Sequence, residues 1–591
     1  MLLQKLIWND TEEFGNQNLY IRNGKFTINN GNICMPANSS LTFDTYFNMF
    51  SVRKWRIYTN VEHISINLCL KGKGRVSLLT FNTGKEDKDQ ILYSTDFNCT
   101  DFETIYIGSE YRINDMQDFC YIKLEATTEV FVSSGEYLCS DEILQTEIHL
   151  ACCICTYKRE KDVKRNVHAL ENELIKNPNS LLYNNLKIYI ADNGHTLKEE
   201  IFSEYKDVHI FENPNYGGSA GFTRTMIESV IFNQNKDLSH VILMDDDILI
   251  YPIVLERTYC FLRVLKKEFS KYMLGGASLA LEQRELQFEA SEQYDPATGL
   301  VKSEDRRKLD LTDRSTLVFN EEEHNANFNG WWYACIPVSV ITKDNLPLPL
   351  FIHRDDQEYG VRLGTPVLQL NGICIWHPLP MNKHADYIFY YNARNTLIVS
   401  AELQDDVSVK EVRRRLLGQI VHACLSYQYQ KALMILYGYK EFYNGIDAFK
   451  TLEPEKKHQE IMKKTSINWI PVTDTQIVKA MKHNNRLPSC YRILRYILPG
   501  KRQKHYVDGS NLNPSAVCGY KKVIIVRGVE KKGFELTKNW RKTFNVFNEW
   551  LKVDHIIRKK HVQCFNEWKT RINELMTIDF WKNYLKLDEK E

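Results

Sequence analysis

Val241-Ile242-Leu243-Met244-Asp245-Asp246-Asp247 is the stretch on which the fold turns. An apolar run closed abruptly by carboxylates reads as a strand covered on both faces, leaving the core at its carboxyl end. The residues upstream repeat the theme. Ile148 to Cys155 is a near-continuous apolar run. Glu160 to Lys176 then carries Val163, Val167, Leu170 and Leu174 on one helical face. Leu186 to Ala191 and Val208 to Phe211 read as two more strands, and Ser219 to Phe232 as a second helix. Strand and helix alternating in this order predict a twisted, largely parallel sheet with right-handed crossovers. Ligands of such sheets sit beyond the carboxyl ends of the strands, where the three aspartates stand.

The flanks differ. Residues 1–145 hold short alternating segments (Leu19 to Arg22, Ile64 to Leu70, Val76 to Phe81, Tyr121 to Leu124) between turns such as Asn23-Gly24 and Asn30-Gly31, a pattern that suits a β-sandwich. The aromatics between Tyr46 and Trp55 read as packing residues, with a sugar-binding face as the alternative. Beyond residue 400 the pattern is helical, with a long run from Val409 to Tyr437 and another from Lys538 to Leu585, and Asp508 to Pro514 reads as a loop. The expected organisation is multidomain: an N-terminal β-sandwich (1–145), a central Rossmann-like α/β domain (146–400) and a mainly helical C-terminal domain (401–591).

A chain of 591 residues exceeds one ordinary core. With 43% hydrophobic and 26% charged residues it is globular rather than disordered. The net charge of +1 names no partner, but Lys479 to Lys560 holds about 20 Lys and Arg against about 5 Asp and Glu. That tract, interleaved with Tyr491, Tyr496 and Trp540, reads either as an anionic-membrane contact or as a solvated face, and no recognition module accompanies it to suggest nucleic acid. The 15 cysteines are scattered as in a reduced, cytoplasmic protein. Cys152, Cys153 and Cys155 lie in an apolar strand without zinc spacing. No signal peptide and no apolar stretch of membrane-spanning length is visible.

Five groups of residues bear on chemistry. In extended backbone Asp245 and Asp247 share a side while Asp246 points away, and paired strand-end carboxylates suit a hard divalent cation able to carry a nucleotide diphosphate. His377, closing the segment Val367 to Trp376, is either a third ligand or a packed histidine. Asn213 to Gly221 leads from a strand into a helix, where glycine permits close approach and the helix start offers free N–H groups; a plain tight turn fits equally, and neither the P-loop nor the dinucleotide pattern is met. Arg354-Asp355-Asp356-Gln357-Glu358 begins a helix, as capping acids or with one carboxylate as a general base. Trp331-Trp332 after Asn329-Gly330 is core packing or a sugar-stacking surface.

Taken in order, six segments resemble one family: Cys155-Thr156-Tyr157-Lys158-Arg159, Asn215 to Arg224, Asp245-Asp246-Asp247, Asn329-Gly330-Trp331-Trp332, Pro349 to Ile352 with Asp355-Asp356, and Ile375-Trp376-His377. Thr45 to Phe50 with Trp55-Arg56, and Gly72 to Val76, add to the likeness. The chain resembles the UDP-galactofuranosyltransferases of the mycobacterial galactan polymerase type, within the inverting family 2 glycosyltransferases. The resemblance implies a GT-A fold for the central domain and transfer of galactofuranose from UDP-galactofuranose to a glycan or lipid-linked glycan hydroxyl. It implies Mn²⁺ or Mg²⁺ on Asp245, Asp247 and His377, with Asp356 as the base. Arg159, Asn193, Asn215, Gly217, Gly218 and Asp246 would meet the UDP-sugar. Trp331, Trp332, Asp355 and Arg354 would meet the acceptor. Arg354 departs from the aromatic expected of polymerase members, which leaves acceptor identity open. The implied setting is cytoplasmic, with peripheral membrane contact and a homo-oligomer as further expectations. The rivals are the same fold with a rhamnosyl or galactopyranosyl donor, a non-catalytic glycan-binding assembly protein, and a metal phosphohydrolase, which lacks a second ligand set.

Overall fold

A computed structural model describes residues 1–591 except 10, 12, 83–88, 141, 234–236, 303–305, 380–385, 482–487, 529 and 588–591, so part of the basic tract lies outside the described residues. The N-terminal region is one eight-stranded antiparallel sheet built around His63–Phe81. The two segments expected there, Ile64 to Leu70 and Val76 to Phe81, are halves of this single strand. Its register shifts between Leu70 and Gly72, and the strand changes partner there, from Val130–Leu138 to Phe119–Ala126. Gly72 has φ +117°, and a Cβ on it would meet the Glu129 carbonyl at 2.3 Å, so the bend needs glycine. Leu19 to Arg22 is not a strand. Asn16 accepts from the Asn18 N–H and starts a short helical turn at Gln17–Leu19, leaving only a bridge between Arg22 and Thr42.

The Tyr46 to Trp55 aromatics are core. Tyr46, Phe47 and Phe50 are fully buried. Phe47 stacks on Tyr20 at 4.8 Å and approaches Trp376 at 6.2 Å, while Trp55 meets Phe261 edge-on at 5.1 Å. One hydrophobic cluster thereby joins the N-terminal sheet to the central one.

The central sheet has nine strands. Val208–Glu212, Leu186–Asp192, Leu150–Thr156 and His240–Asp245 are its parallel half. Ala334–Pro337 runs antiparallel to both His240–Asp245 and Met273–Ala280, and Val367–His377 pairs parallel with the latter. The expected largely parallel sheet is therefore mixed, because Ala334–Pro337 inserts between strands of the common direction. Glu160–Leu170, continued by a wider turn over Glu171–Ile175, buries Val163, Val167, Leu170 and Leu174 as its spacing requires. Cys152 and Cys153 are fully buried in their strand, and all 15 cysteines are free thiols.

The C-terminal part is mostly helical. The run from Val409 to Tyr437 is two helices, Val409–Leu425 and Tyr429–Phe442, broken where Tyr427 takes φ +60°. Trp540–Arg571 packs across both. A four-stranded sheet not expected from the sequence, in the order Ile470–Pro471, Lys532–Thr537, Lys522–Arg527 and His505–Asp508, lies between them in the chain. The last helix, Ile578–Leu585, leaves this region: Trp581 and Leu585 are buried in the core beneath the central sheet. Among the described residues no helix is long and apolar enough to cross a membrane.

Candidate active site

The parallel half of the sheet brings its strand ends to one edge. Thr156 pairs with Asp192, Asp192 with Glu212, and Cys155 with Asp245. His240–Asp245 ends at Asp245, and Asp246 and Asp247 already lie in a turn. Strand alternation therefore does not aim the triplet. The turn does, because the chain just beyond it is pinned to the strand ending in His377: Leu249 N donates to Trp376 O at 2.8 Å and Trp376 N to Leu249 O at 3.1 Å.

That pinning sets His377 Nε2 3.2 Å from Asp247 Oδ1 and 3.6 Å from Asp245 Oδ2. One ligand atom from each residue lies within 4.8 Å of the other two, and among the described residues this is the one such group. Ligand atoms about 2.1 Å from a shared octahedral ion sit about 3 Å apart, so the three residues fit a divalent cation. Two carboxylates and an imidazole suit Mn²⁺ or Mg²⁺. His377 Nδ1 lies 2.7 Å from the Pro378 carbonyl, an arrangement that leaves Nε2 as the ligating atom. Burial disfavours the charged imidazole, yet Asp245 and Asp247 hold its pKa up at about 10. The pair of acids demands a positive charge at this point.

Asp246 is turned away from the group. It accepts from Thr156 Oγ1 at 2.8 Å and lies 3.6 Å from Arg159 Nε, while Arg159 Nη1 lies 3.2 Å from Asp247 Oδ2. Burial pushes Asp246 up to about 7 against the Thr156 bond and Arg159. Arg159 thus borders the acidic edge, delivered by a turn in which Lys158 takes φ +57°.

The glycine segment serves the protein's own backbone first. Gly217 has φ +82°, and a Cβ there would meet the Phe351 carbonyl oxygen at 2.1 Å. The close approach expected of a ligand is thus made by Phe351. Ser219 Oγ accepts from Phe351 N at 2.9 Å. Asn193 is buried and uses its amide on protein groups: Nδ2 donates to Gly217 O at 3.0 Å, and Oδ1 accepts from Asn213 Nδ2 at 2.8 Å. Asn215 and Gly218 remain half-buried.

Asp355 and Asp356 open the helix Asp355–Leu363 after a strained approach. Phe351, His353 and Arg354 all take φ near +70°. Left-handed backbone costs an L-residue about 1–2 kcal/mol, so the surroundings must impose it. They do so through Ile388–Leu403. Asn395 Nδ2 donates to the carbonyls of Leu350, Ile352 and His353 at 3.1, 2.8 and 2.9 Å, and Arg394 Nη2 donates to Leu350 O at 2.8 Å. Arg354 Nε donates to Asn392 Oδ1 at 3.0 Å. Burial raises the pKa values of both acids. Asp356 adds to the effect on Asp355, while Glu289 and Asp245 add to it on Asp356, against the Gln357 N–H and Arg354. Asp355 is buried and Asp356 half-buried.

Trp331 is a core residue, packed edge-on against Phe222 at 5.1 Å and Tyr359 at 6.2 Å. The half-exposed ring is Trp332, whose Nε1 donates to Gly276 O at 2.8 Å. Sequence reasoning missed Asn395 and the acids Glu289 and Glu292, and read Ser219 only as part of the glycine segment. Arg307 bridges those two acids, the first at 3.2 Å. Glu289 acts electrostatically on Asp356, and His377 acts on Glu289, so this acid is within reach of both the base candidate and the ligand group.

Residues 9–132 match the family described as Galactofuranosyltransferase 2 N-terminal. The chain is 28% identical over 425 residues to Galactofuranosyltransferase GlfT2 of Mycobacterium tuberculosis (strain ATCC 25618 / H37Rv), covering 66% of this chain and 63% of that protein. It is 27% identical over 418 residues to Galactofuranosyltransferase GlfT2 of Mycolicibacterium smegmatis (strain ATCC 700084 / mc(2)155), covering 66% and 62%. The match thus spans under two thirds of either relative. Among solved structures, a Clostridium thermocellum xylanase with CBM22-1 and GH10 modules aligns at a TM-score of 0.16 with 11% identity, over 32% of this chain and 38% of that one, too low to inform the fold. The two relatives and the matched N-terminal region set this chain among the sequence relatives of the GlfT2-type galactofuranosyltransferases.

Proposed function

We propose that the chain is an inverting, metal-dependent glycosyltransferase that moves galactofuranose from UDP-galactofuranose to a glycan hydroxyl. The observation that carries this reading is the convergence of Asp245, Asp247 and His377 at the carboxyl edge of the parallel strands, with Asp356 in electrostatic reach of Asp245. In this reading the nine-stranded domain is a GT-A domain spanning residues 146–400, preceded by a β-sandwich (1–145) and followed by a mainly helical domain (401–591).

A divalent cation held by Asp245, Asp247 and His377 would supply neutralising charge for the departing diphosphate. Arg159 adds a guanidinium at the same edge, and Asn193 holds the glycine segment in shape. Asp356 accepts the proton of the attacking hydroxyl, since a carboxylate with a raised pKa is a better base than an ordinary one and is still ionised near neutrality. Asp355 beside it is the more deeply buried acid, and burial raises its pKa as well. Displacement from the side opposite the leaving group inverts the anomeric centre.

A peripheral membrane setting is supported by Ser489–Ile497 and its exit. Tyr491, Leu494, Ile497 and Leu498 are at least half exposed, among Arg492, Arg495 and Lys501. The function is tested by incubating the protein with UDP-galactofuranose, Mn²⁺ and galactoside acceptors and determining product linkage and anomeric configuration by NMR. No turnover with that donor, alongside turnover with a rhamnosyl or galactopyranosyl donor, would discard the donor assignment.

A further inference from the structure

Behind the base loop lies a cavity of about 450 Å³ walled by the three helices Ile388–Leu403, Val409–Leu425 and Tyr429–Phe442. Its lining includes Arg415, Lys431 and His422 with the amides Asn392 and Gln419, and among the described residues no carboxylate lines it. Two acids stand close by: Glu411 accepts from Arg415 Nη2 at 3.0 Å, and Asp386 acts on Lys431 from outside the wall. Lys431 Nζ rests 4.1 Å from the centre of the Phe389 ring, so its ammonium is partly desolvated yet fixed in direction. Burial, Lys431 and Arg492 together push His422 below the usual imidazole range. The cavity thus offers two cationic side chains, Arg415 and Lys431, beside a neutral imidazole and two amides.

The cavity also has a physical link to the chemistry. Asn392, in its wall, holds Arg354 Nε at 3.0 Å, and Arg354 immediately precedes Asp355 and Asp356. The charge of Arg415 acts on Arg354. The cavity wall and the residue preceding the acidic pair are thus joined through Asn392.

We propose that this cavity is an acceptor subsite for an anionic substituent, a carboxylate or a phosphate ester, so that the acceptor is an acidic rather than a neutral glycan. The proposal rests on the transferase reading for the word acceptor, but anion binding itself does not. Arg415 and Lys431 provide charge, Gln419 and Asn392 provide neutral donors, and Phe389 and Tyr439 provide apolar sides for a sugar ring.

The first test needs no turnover. The full-length protein, freed of divalent cations by passage over a chelating resin, is titrated by calorimetry with glucuronic acid, glycerol 1-phosphate and neutral glucose at millimolar concentrations. Saturable binding of at least one acid and none of glucose is expected. Lys431→Ala weakens that binding about tenfold or more. Gln419→Glu, at an exposed position that cannot compromise the core, abolishes it by placing a carboxylate in the cavity. Equal heats for acid and glucose, or acid binding that survives Gln419→Glu, overturn the proposal. The second test compares kcat/KM for matched acceptors carrying a carboxylate, a phosphate ester or neither. The acidic acceptor is preferred in the wild type, and Gln419→Glu removes that preference ratio. No preference in the wild type overturns the acceptor assignment. If transfer fails with every acceptor while calorimetry succeeds, it is the transferase reading that has failed.

Discussion

The Cα of Gly217 is backed directly onto the carbonyl of Phe351, so close that a methyl group would sit 2.1 Å from the oxygen. The glycine segment and the base loop are thus one unit, although 134 positions separate them. Gly217→Ala is expected to fail on two counts, a left-handed φ of +82° and a backbone clash. It should destabilise the protein by about 2–4 kcal/mol, read as a lower urea midpoint at unchanged slope. A midpoint within experimental scatter of the wild type would show the loops to be independent.

Asn395 holds three carbonyls of the strained segment with one amide nitrogen. Asn395→Ala removes the side-chain donor of the Ile352 and His353 carbonyls, while Leu350 O keeps Arg394, at a cost of about 2–3 kcal/mol. The segment should relax and move Asp356, so kcat should fall by about 100-fold with UDP affinity nearly kept. Asn395→Asp retains the size but removes the donors, and should do no better.

Asp356→Asn should lower kcat by about 10²–10⁴ while UDP affinity is largely retained. Burial first, then Glu289 and Asp245, raises the carboxylate's pKa, so its charged form appears only above the ordinary carboxylate range of about 4. Activity is therefore present above the folded-state pKa and lost as pH falls through it. The acid limb of the wild-type kcat/KM profile should lie above that range, and Asp356→Asn should flatten it.

His377→Ala should weaken Mn²⁺ binding by about 100-fold or more, measured by electron paramagnetic resonance of free Mn²⁺. Asp246→Asn, altering the carboxylate that turns toward Thr156, should change that affinity far less. Matching losses in the two variants would point to a different ligand set. EDTA should abolish transfer, and Mn²⁺ should restore it.

His240 is buried on the central sheet, and burial lowers its pKa from 6.5 to about 4. The unfolded chain binds its proton below 6.5 and the folded chain only near 4. Stability from this residue is thus complete above pH 6.5 and is lost as pH falls through that interval, on the order of 3 kcal/mol in all. Urea unfolding at pH 7.5, 6, 5 and 4.5 should show this slope, and His240→Leu should reduce it.

The central sheet was legible because buried parallel strands are written as continuous apolar runs. Val241 to Met244 and Ile148 to Cys155 each stand within two residues of their observed strands. The acid pair was legible in type but not in cause: a turn and the Leu249–Trp376 bridge, not strand alternation, aim it. Asn395, Glu289 and Glu292 left no local trace, since each matters through a partner remote in sequence. Lys522–Arg527 did carry a local signal, Val523 to Val526, but the surrounding lysines drew attention to charge instead of pairing. The break at Tyr427 was invisible because nothing near it is Gly or Pro.

The closing helix Ile578–Leu585 folds back beneath the central sheet. Trp581 Nε1 donates to Pro347 O at 3.0 Å, and the rings of Tyr584 and Tyr216 stand 4.9 Å apart. Tyr216 immediately precedes Gly217, so a helix far along the chain buttresses the glycine segment from behind. A chain cut before Ile578 would keep every acid of the constellation and lose that support.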